Sequence, residues 1–445
     1  MPGARRTDRP AWTGLAVAVA LIVLAIAVPA VSGWNVHVQS FPPLHAGWDP
    51  RLGPGTLPAV VLAALVAWRA VDLAVRLRWR TLLLASYAGG LAWMLALALV
   101  DGPRGVGHIL GTQYEYLRTA RATTDLPHTL EIYVSRIPYD AVPSNWPVHI
   151  AGHPPGALTF FVVLVRLGLG SDFAAGMVVT LLAASTAVAA LVTLRLLGAE
   201  AVARRAAPLL VFGPAAVWQC TSADAMFAAV AAWGMTCLAV AGTARGRPLW
   251  TVGWSVASGL LLGYDVMLSY GLPLLGVLAV AILVLAGSWR PLVPAVVGAA
   301  AVVLGYAAFG FEWWHALPVL RDRYWAGVAS RRPAAYWTWA NLAALAISAG
   351  PLVGAGLAQA ASSVREARTD TGTRVAVWLS GAAVVMVLAA DASQMSRAEV
   401  ERIWLPFVPW LLVSCALLPD SWRRRGLVLQ LAVALLVQHL LSTGW

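Results

Sequence analysis

Residues 101–154 form a polar stretch between two apolar runs, opening on Asp101 and closing on His153-Pro154-Pro155-Gly156. Asp101 ends a strongly apolar segment and is followed by Gly102-Pro103, which places its carboxylate at a membrane surface with a chain break behind it. Burial and neighbouring charge can bring a carboxylate at such a boundary into the range needed for general-base work near neutral pH. Asp49, in Gly47-Trp48-Asp49-Pro50-Arg51, is a second candidate catalytic acid of the same kind, with an Asp-Pro turn as its alternative. At the far end of the stretch, Pro154-Pro155 fixes the loop and starts the next helix, holding His153 at its mouth.

The candidate binding residues surround these acids in sequence. Arg104, Arg118, Arg121 and Arg136, then Arg321, Arg323, Arg331 and Arg332, then Arg397 and Arg402, all fall on segments expected outside the cytoplasm, against the usual bias of positive charge. An anionic ligand accounts for that excess, and phosphate is the natural one, because a guanidinium fork binds two of its oxygens while staying charged. Headgroup contact, or pairing with Asp125, Glu131, Asp140 or Asp322, is the alternative for each arginine taken singly. Tyr114-Glu115-Tyr116 opens an expected surface helix, and Tyr116, His149 and His153 are candidate sugar contacts as well as interfacial anchors. The four-residue spacing of the histidines suits a helix, but the surrounding prolines, Pro147, Pro154 and Pro155, argue against a regular one, so no metal pair is expected there. Asp224 sits among apolar neighbours and must face a cavity or a partner, since an acid at membrane depth costs roughly 2.5 to 3.5 kcal/mol. Asp265 and Tyr270 carry the same ambiguity. Glu399-Val400-Glu401-Arg402 places charge at the mouth of a late span, where Arg402, with Glu401 beside it, meets the level of a lipid-linked phosphate.

Positioning these residues requires a membrane. The 445 residues are 60% hydrophobic and 11% charged, with mean hydropathy +0.74, which no single water-soluble globule can bury. Every basic residue is arginine, with Ala, Leu and Val dominating the apolar positions, a usage typical of GC-rich bacterial coding. The net charge of +11 comes from short clusters between apolar runs, as cytoplasmic loops require, so nucleic acid is not an expected partner. Cys220, Cys237 and Cys415 lack paired spacing and suggest neither disulfide nor metal site. The expected fold is an all-α polytopic integral membrane protein with about 11–13 transmembrane helices.

The run 12–31 follows Arg5, Arg6 and Arg9 and reads as a retained first span with the N-terminus cytoplasmic. Counting crossings from there puts 34–56 and 101–154 outside and Arg76, Arg78 and Arg80 inside. Reading back from Arg423, Arg424 and Arg425 puts 391–402 and 309–339 on that same outer face. The four apolar runs between 155 and 242 give the wrong parity, so one of them fails to cross. The runs meeting at Cys220-Thr221-Ser222-Ala223-Asp224 are the candidates for a re-entrant pair. The chain is expected to divide into residues 1–80, a tail and two added spans; 81–242, a module carrying the long external loop; and 243–445, the remaining spans with their two external loops.

In this order the elements resemble the polytopic glycosyltransferases of the GT-C superfamily, above all the branch of protein O-mannosyltransferases and bacterial aminoarabinose transferases. The matching elements are Asp101 where an early span exits, the long first external loop, His153-Pro154-Pro155-Gly156 at re-entry, Asp224 after the Pro214 helix, and the distal Arg402. The resemblance covers about residues 81–410. The family's acidic pair followed closely by Tyr does not recur after Asp101, and a soluble C-terminal domain after the spans is not expected.

The resemblance implies transfer of a sugar from a polyprenyl-phosphate donor to a hydroxyl of a glycan, lipid or protein acceptor, at the extracytoplasmic face of the bacterial plasma membrane and in assembly of the envelope. An aspartate would deprotonate the acceptor while arginines stabilise the departing phosphate, with inversion at the anomeric carbon. No cofactor and no obligatory metal are expected. Two other functions use the same residues: a transporter or flippase of a lipid-linked anion, and a non-catalytic scaffold in envelope assembly.

Overall fold

A computed structural model describes residues 7–444; Arg5 and Arg6 of the N-terminal cluster lie outside the described residues. Helix α1 (Arg9–Ser32) starts with a proline in its first turn and stops on Gly33, whose φ of +67° is the left-handed conformation that glycine adopts without steric cost. The short strand β1 (Ala46–Trp48) follows, then α2 (Thr56–Arg76) and α3 (Trp79–Ala98). Beyond α3 the chain kinks at Gly102, φ +66°, as the Gly-Pro pair requires.

The long polar stretch is built of single turns: α4 (Leu117–Ala122), α5 (Leu126–Glu131), capped by the Asp125 carboxylate accepting the His128 N–H, and α6 (Val148–Gly152). The prolines bound a single turn that carries His149 and ends before His153, which stands at its C-cap in extended conformation. Pro147 stands at the N-cap and Pro154 follows the turn, so neither ring interrupts it, and the His153 imidazole Nδ1 lies 2.8 Å from the His149 carbonyl.

The chain then runs through α7 (Gly156–Arg166), α8 (Asp172–Leu196), α9 (Glu200–Val211), α10 (Ala216–Gln219) and α11 (Ala223–Thr243). The run that fails to cross is α7, not the pair meeting at Asp224. Its 11 residues span only about 16 Å at 1.5 Å per residue, against about 30 Å of hydrocarbon. Arg121 of α4 donates to the Gly170 carbonyl (2.8 Å) and to Asp172 (2.5 Å), so α7 returns to the end from which it came. Helices α9 and α10 form one passage broken around Pro214, and Asp224 falls in the first turn of the next.

The remainder comprises α12 (Pro248–Leu268), α13 (Leu275–Ala286), α14 (Leu292–Ala308), α15 (Trp313–Ala326), α16 (Ala334–Ser348), α17 (Leu352–Ser362), α18 (Thr371–Ala392), α19 (Val400–Ile403), α20 (Val408–Leu412), α21 (Asp420–Leu440) and strand β2 (Leu441–Thr443). Among the described residues seven helices are long and apolar enough to cross a membrane, or nine if α14–α15 and α16–α17, bent by 73° and 102°, each count as one span. This is an all-α polytopic membrane architecture with a single two-stranded ribbon, β1 with β2, among the described residues.

Two ends of the bundle are tied by different chemistry. At one end, Arg204 donates to the carbonyls of Ala74, Val75 and Leu77, Arg205 to those of Ala416 and Leu418, and Arg424 to Asp72, closing off helix C-termini. At the other end lie the polar stretch after α3, α15 and the segment between α18 and α20. Arg323 of α15 binds the carbonyls of Ile137 and Trp146, and Arg397 binds that of Arg332 at 2.7 Å. The three polar segments expected to share a face are therefore joined to one another.

Candidate active site

Arg402 is the hub of the polar end. It is 3% exposed, and its guanidinium reaches Asp224 at 2.6 Å, Glu399 at 3.0 Å and the His149 imidazole at 3.4 Å. Glu399 precedes Arg402 by one helical turn and carries φ +65°, which swings its carboxylate back over the guanidinium. Arg332, itself buried, contacts Glu399 from the other side at 3.3 Å. Asp224 enters from the start of α11, and His149 from α6. On its outer nitrogen His149 meets Glu115 at 2.6 Å, also buried.

His153 packs under this network. Its ring lies edge-on to Tyr116 and tilted against Phe227, and its carbonyl accepts the Tyr133 hydroxyl. The Tyr116 hydroxyl in turn donates to the His149 carbonyl. Burial depresses the His153 imidazole, so it is neutral near pH 7, and burial raises the Tyr116 and Tyr133 phenols. A neutral imidazole with Nδ1 occupied by a carbonyl keeps Nε2 as an acceptor.

Charge in the cluster is differentiated by partner. Burial opposes ionisation of Glu399, but the adjacent Arg402 and Arg332 outweigh it and hold the carboxyl at about 2. Burial likewise works against the Arg402 charge, yet Asp224 and Glu399 raise its pKa above the ordinary value. Glu401 points the opposite way. It is 1% exposed, accepts the His45 backbone N–H on Oε1 at 3.0 Å and has no partner on Oε2 among the described residues; burial pushes it up to about 7. One carboxylate in this loop is thus locked ionised while its near neighbour exchanges its proton around neutrality, a separation that suits acid–base chemistry.

Of the residues singled out in sequence, Tyr116, His149, His153, Asp224, Glu401 and Arg402 gather here. Five do not touch this network, among them Asp265, fully buried near the end of α12 with no hydrogen-bond partner for its carboxylate among the described residues. Asp101 is held by Arg51 on both oxygens and by the Gln438 amide at 2.8 Å, with its side chain 36% exposed. Asp49 is exposed, and its backbone, not its carboxylate, bonds to the Leu440 carbonyl and Arg51. Tyr270 packs at a tilt against Trp313 with its hydroxyl unpartnered among the described residues. Arg331 is exposed, without an ion pair among the described residues.

Several of the other arginines of this end serve the fold. Arg121 pairs with Asp172, Arg136 binds Ser144 and Arg323 binds carbonyls, none of them the acids expected as partners. Glu115, His45 and Glu399 complete the site and were not singled out for it. The signals were a carboxylate between two tyrosines, a histidine in the short loop before Asp49, and the first acid of the Glu-Val-Glu-Arg run. Among the described residues no group of three or more His, Cys, Asp or Glu is arranged to hold a metal ion.

No family model and no curated protein matches the chain. A crystal structure of ArnT from Cupriavidus metallidurans in the apo state is similar over 75% of this chain, with 16% identity and a TM-score of 0.43. The matched region spans 61% of that protein's length.

Proposed function

We propose that this protein is a membrane glycosyltransferase of the GT-C kind, transferring a sugar from a polyprenyl-phosphate donor to an acceptor hydroxyl at the extracytoplasmic face of the membrane. The observation that carries the reading is the convergence of Arg402, Asp224, His149 and His153. Three motif elements that only a family pattern put in order along the chain, the re-entry His-Pro-Pro-Gly, the acid after a proline helix and the distal arginine, meet in one buried network at one end of the bundle.

In this reading Arg402, oriented beforehand by Asp224 and Glu399, supplies positive charge beside the phosphate left on the lipid. Charge fixed in place before the reaction costs no reorganisation in the transition state. The acceptor's proton needs a carboxylate with a free oxygen. Asp101 has both oxygens engaged by Arg51 and Gln438, so a proton arriving there must displace those donors. Glu401 has Oε2 free and exchanges a proton at about 7, so we assign it the proton-accepting role and give Asp101 the task of anchoring the loop before α2.

Membranes containing the chain, incubated with polyprenyl-phosphate-linked sugars and envelope extract, test this directly. E401Q abolishes transfer while donor binding persists, and D101N retains transfer in proportion to folded protein. Loss of transfer in D101N with full activity in E401Q returns the base to Asp101. Unchanged transfer in both, or donor passage across the bilayer without any glycosylated product, overturns the enzyme reading.

A further inference from the structure

At the end of the bundle opposite the candidate active site, the turn joining α11 to α12 and the turn joining α13 to α14 enclose a cavity of about 410 Å³. Its walls include Arg245, Arg290, Trp289 and Thr251, with Gly246 and Gly287 in the left-handed conformation at the two bends. Two helices end here and two begin, so their dipoles offset and the guanidinium groups set the local charge. Residues 241–251 and 286–297 contain no Asp or Glu. Arg245, Arg247 and Arg290 make no ion pair or side-chain hydrogen bond among the described residues. Arg204, Arg205 and Arg424 at the same end are tied down by Glu200, Asp420 and Asp72.

The surfaces leading into the cavity are apolar. Leu249 is 88% exposed and Val293 70%, and Trp250, Trp289, Val296 and Val297 are exposed beside them. Ala295 and Gly298 of α14 are buried, while Leu292, Val293, Val296, Val297 and Leu304 form an exposed apolar face. Trp at this level with Arg beside it is the arrangement of a membrane–water interface. A polar hollow with unneutralised guanidiniums at the foot of a lipid-facing helix pair matches an amphiphile: an anionic head inside, chains along α12 and α14.

We propose that this cavity binds the phosphate of an anionic membrane phospholipid, with Arg245 and Arg290 as its ligands. The site is independent of the sugar-transfer reading and requires only that α12 and α14 cross the membrane. Native mass spectrometry of the full chain from nanodiscs of phosphatidylglycerol or phosphatidylcholine tests it, with inorganic phosphate added to phosphatidylglycerol discs as a third arm. Retention of one phosphatidylglycerol per chain is expected. Its affinity should fall roughly tenfold or more in R245Q/R290Q, from the loss of two surface-level cations. R365Q/R368Q, which removes two arginines from the loop between α17 and α18, serves as the charge-matched control and should retain the lipid. Equal retention by wild type and R245Q/R290Q, or equal loss in the control, overturns the site. Inorganic phosphate that displaces phosphatidylglycerol at matched concentration overturns the lipid as its occupant.

Discussion

Replacing Arg402 by Met removes the only hydrogen-bonded partner that Asp224 has among the described residues and one of the two cations beside Glu399. The Arg402 and Asp224 side chains are each 4% exposed, so water does not make good the loss. Breaking a buried pair in this way typically costs about 3–5 kcal/mol, most of it the penalty of the carboxylate left behind. Asp224→Asn alone should cost less, because Arg402 keeps Glu399 at 3.0 Å. In the double variant the stranded Asp224 charge is gone and Glu399 still has Arg332, so the two substitutions should be non-additive by about 2 kcal/mol in the favourable direction. Unfolding in mixed micelles by rising SDS fraction measures all four corners of the cycle. The summed fluorescence of the 22 tryptophans reports the transition. Additivity to within about 0.5 kcal/mol would show that Asp224 and Arg402 do not share an energetically meaningful pair, and the hub described above would be a geometric coincidence.

Two further outcomes follow from the same loop. Glu401, raised to about 7 from an ordinary 4.5, favours the fold in its neutral form. That contribution is complete below about pH 4.5 and is lost as pH rises through about 7, by on the order of 3 kcal/mol, while Glu399, held at about 2, contributes the opposite slope only below pH 4.5. Unfolding measured from pH 5 to 9 should therefore show a decline in wild type that E401Q flattens, and parallel curves would exclude burial of an exchanging Glu401. The loop that brings His45 over Glu401 is clipped to the C-terminal strand with Ala46 opposite Thr443. An A46C/T443C pair, once oxidised, should hold that cover down and suppress sugar transfer, with activity returning on reduction; equal transfer in both redox states would mean that substrate does not enter beneath this loop.

The sequence revealed the architecture where a physical signal was local. Apolar runs of about 20 residues name their own crossings, and Gly-Pro after Asp101 and Gly33 after α1 mark real breaks. It misplaced the non-crossing run because α7 carries no charge before Arg166 whereas α9 carries Glu200, Arg204 and Arg205, and hydropathy does not distinguish a short helix folded back under a loop from half of a broken span. Only the reach of Arg121 to Gly170 and Asp172 decides it. The same division holds at the site. Asp224 and Arg402 were visible because charge in an apolar setting demands an explanation, whereas Glu115, His45 and Glu399 lie in ordinary polar sequence and acquire meaning through their neighbours.

Those neighbours are far apart along the chain. Arg402 meets Asp224 across 178 residues and His149 across 253, and the His45 N–H meets Glu401 across 356. Residues 81–242 supply Glu115, His149, His153 and Asp224; residues 243–445 supply Arg332, Glu399, Glu401 and Arg402. The first set contains Glu115 and Asp224 with no arginine, and the second contains Arg332 and Arg402 with Glu399 and Glu401, so the buried charges find opposite partners where these distant segments meet. An ion network assembled in this way is weak evidence of stability for its own sake, because apolar residues of similar size would hold such segments together at lower cost.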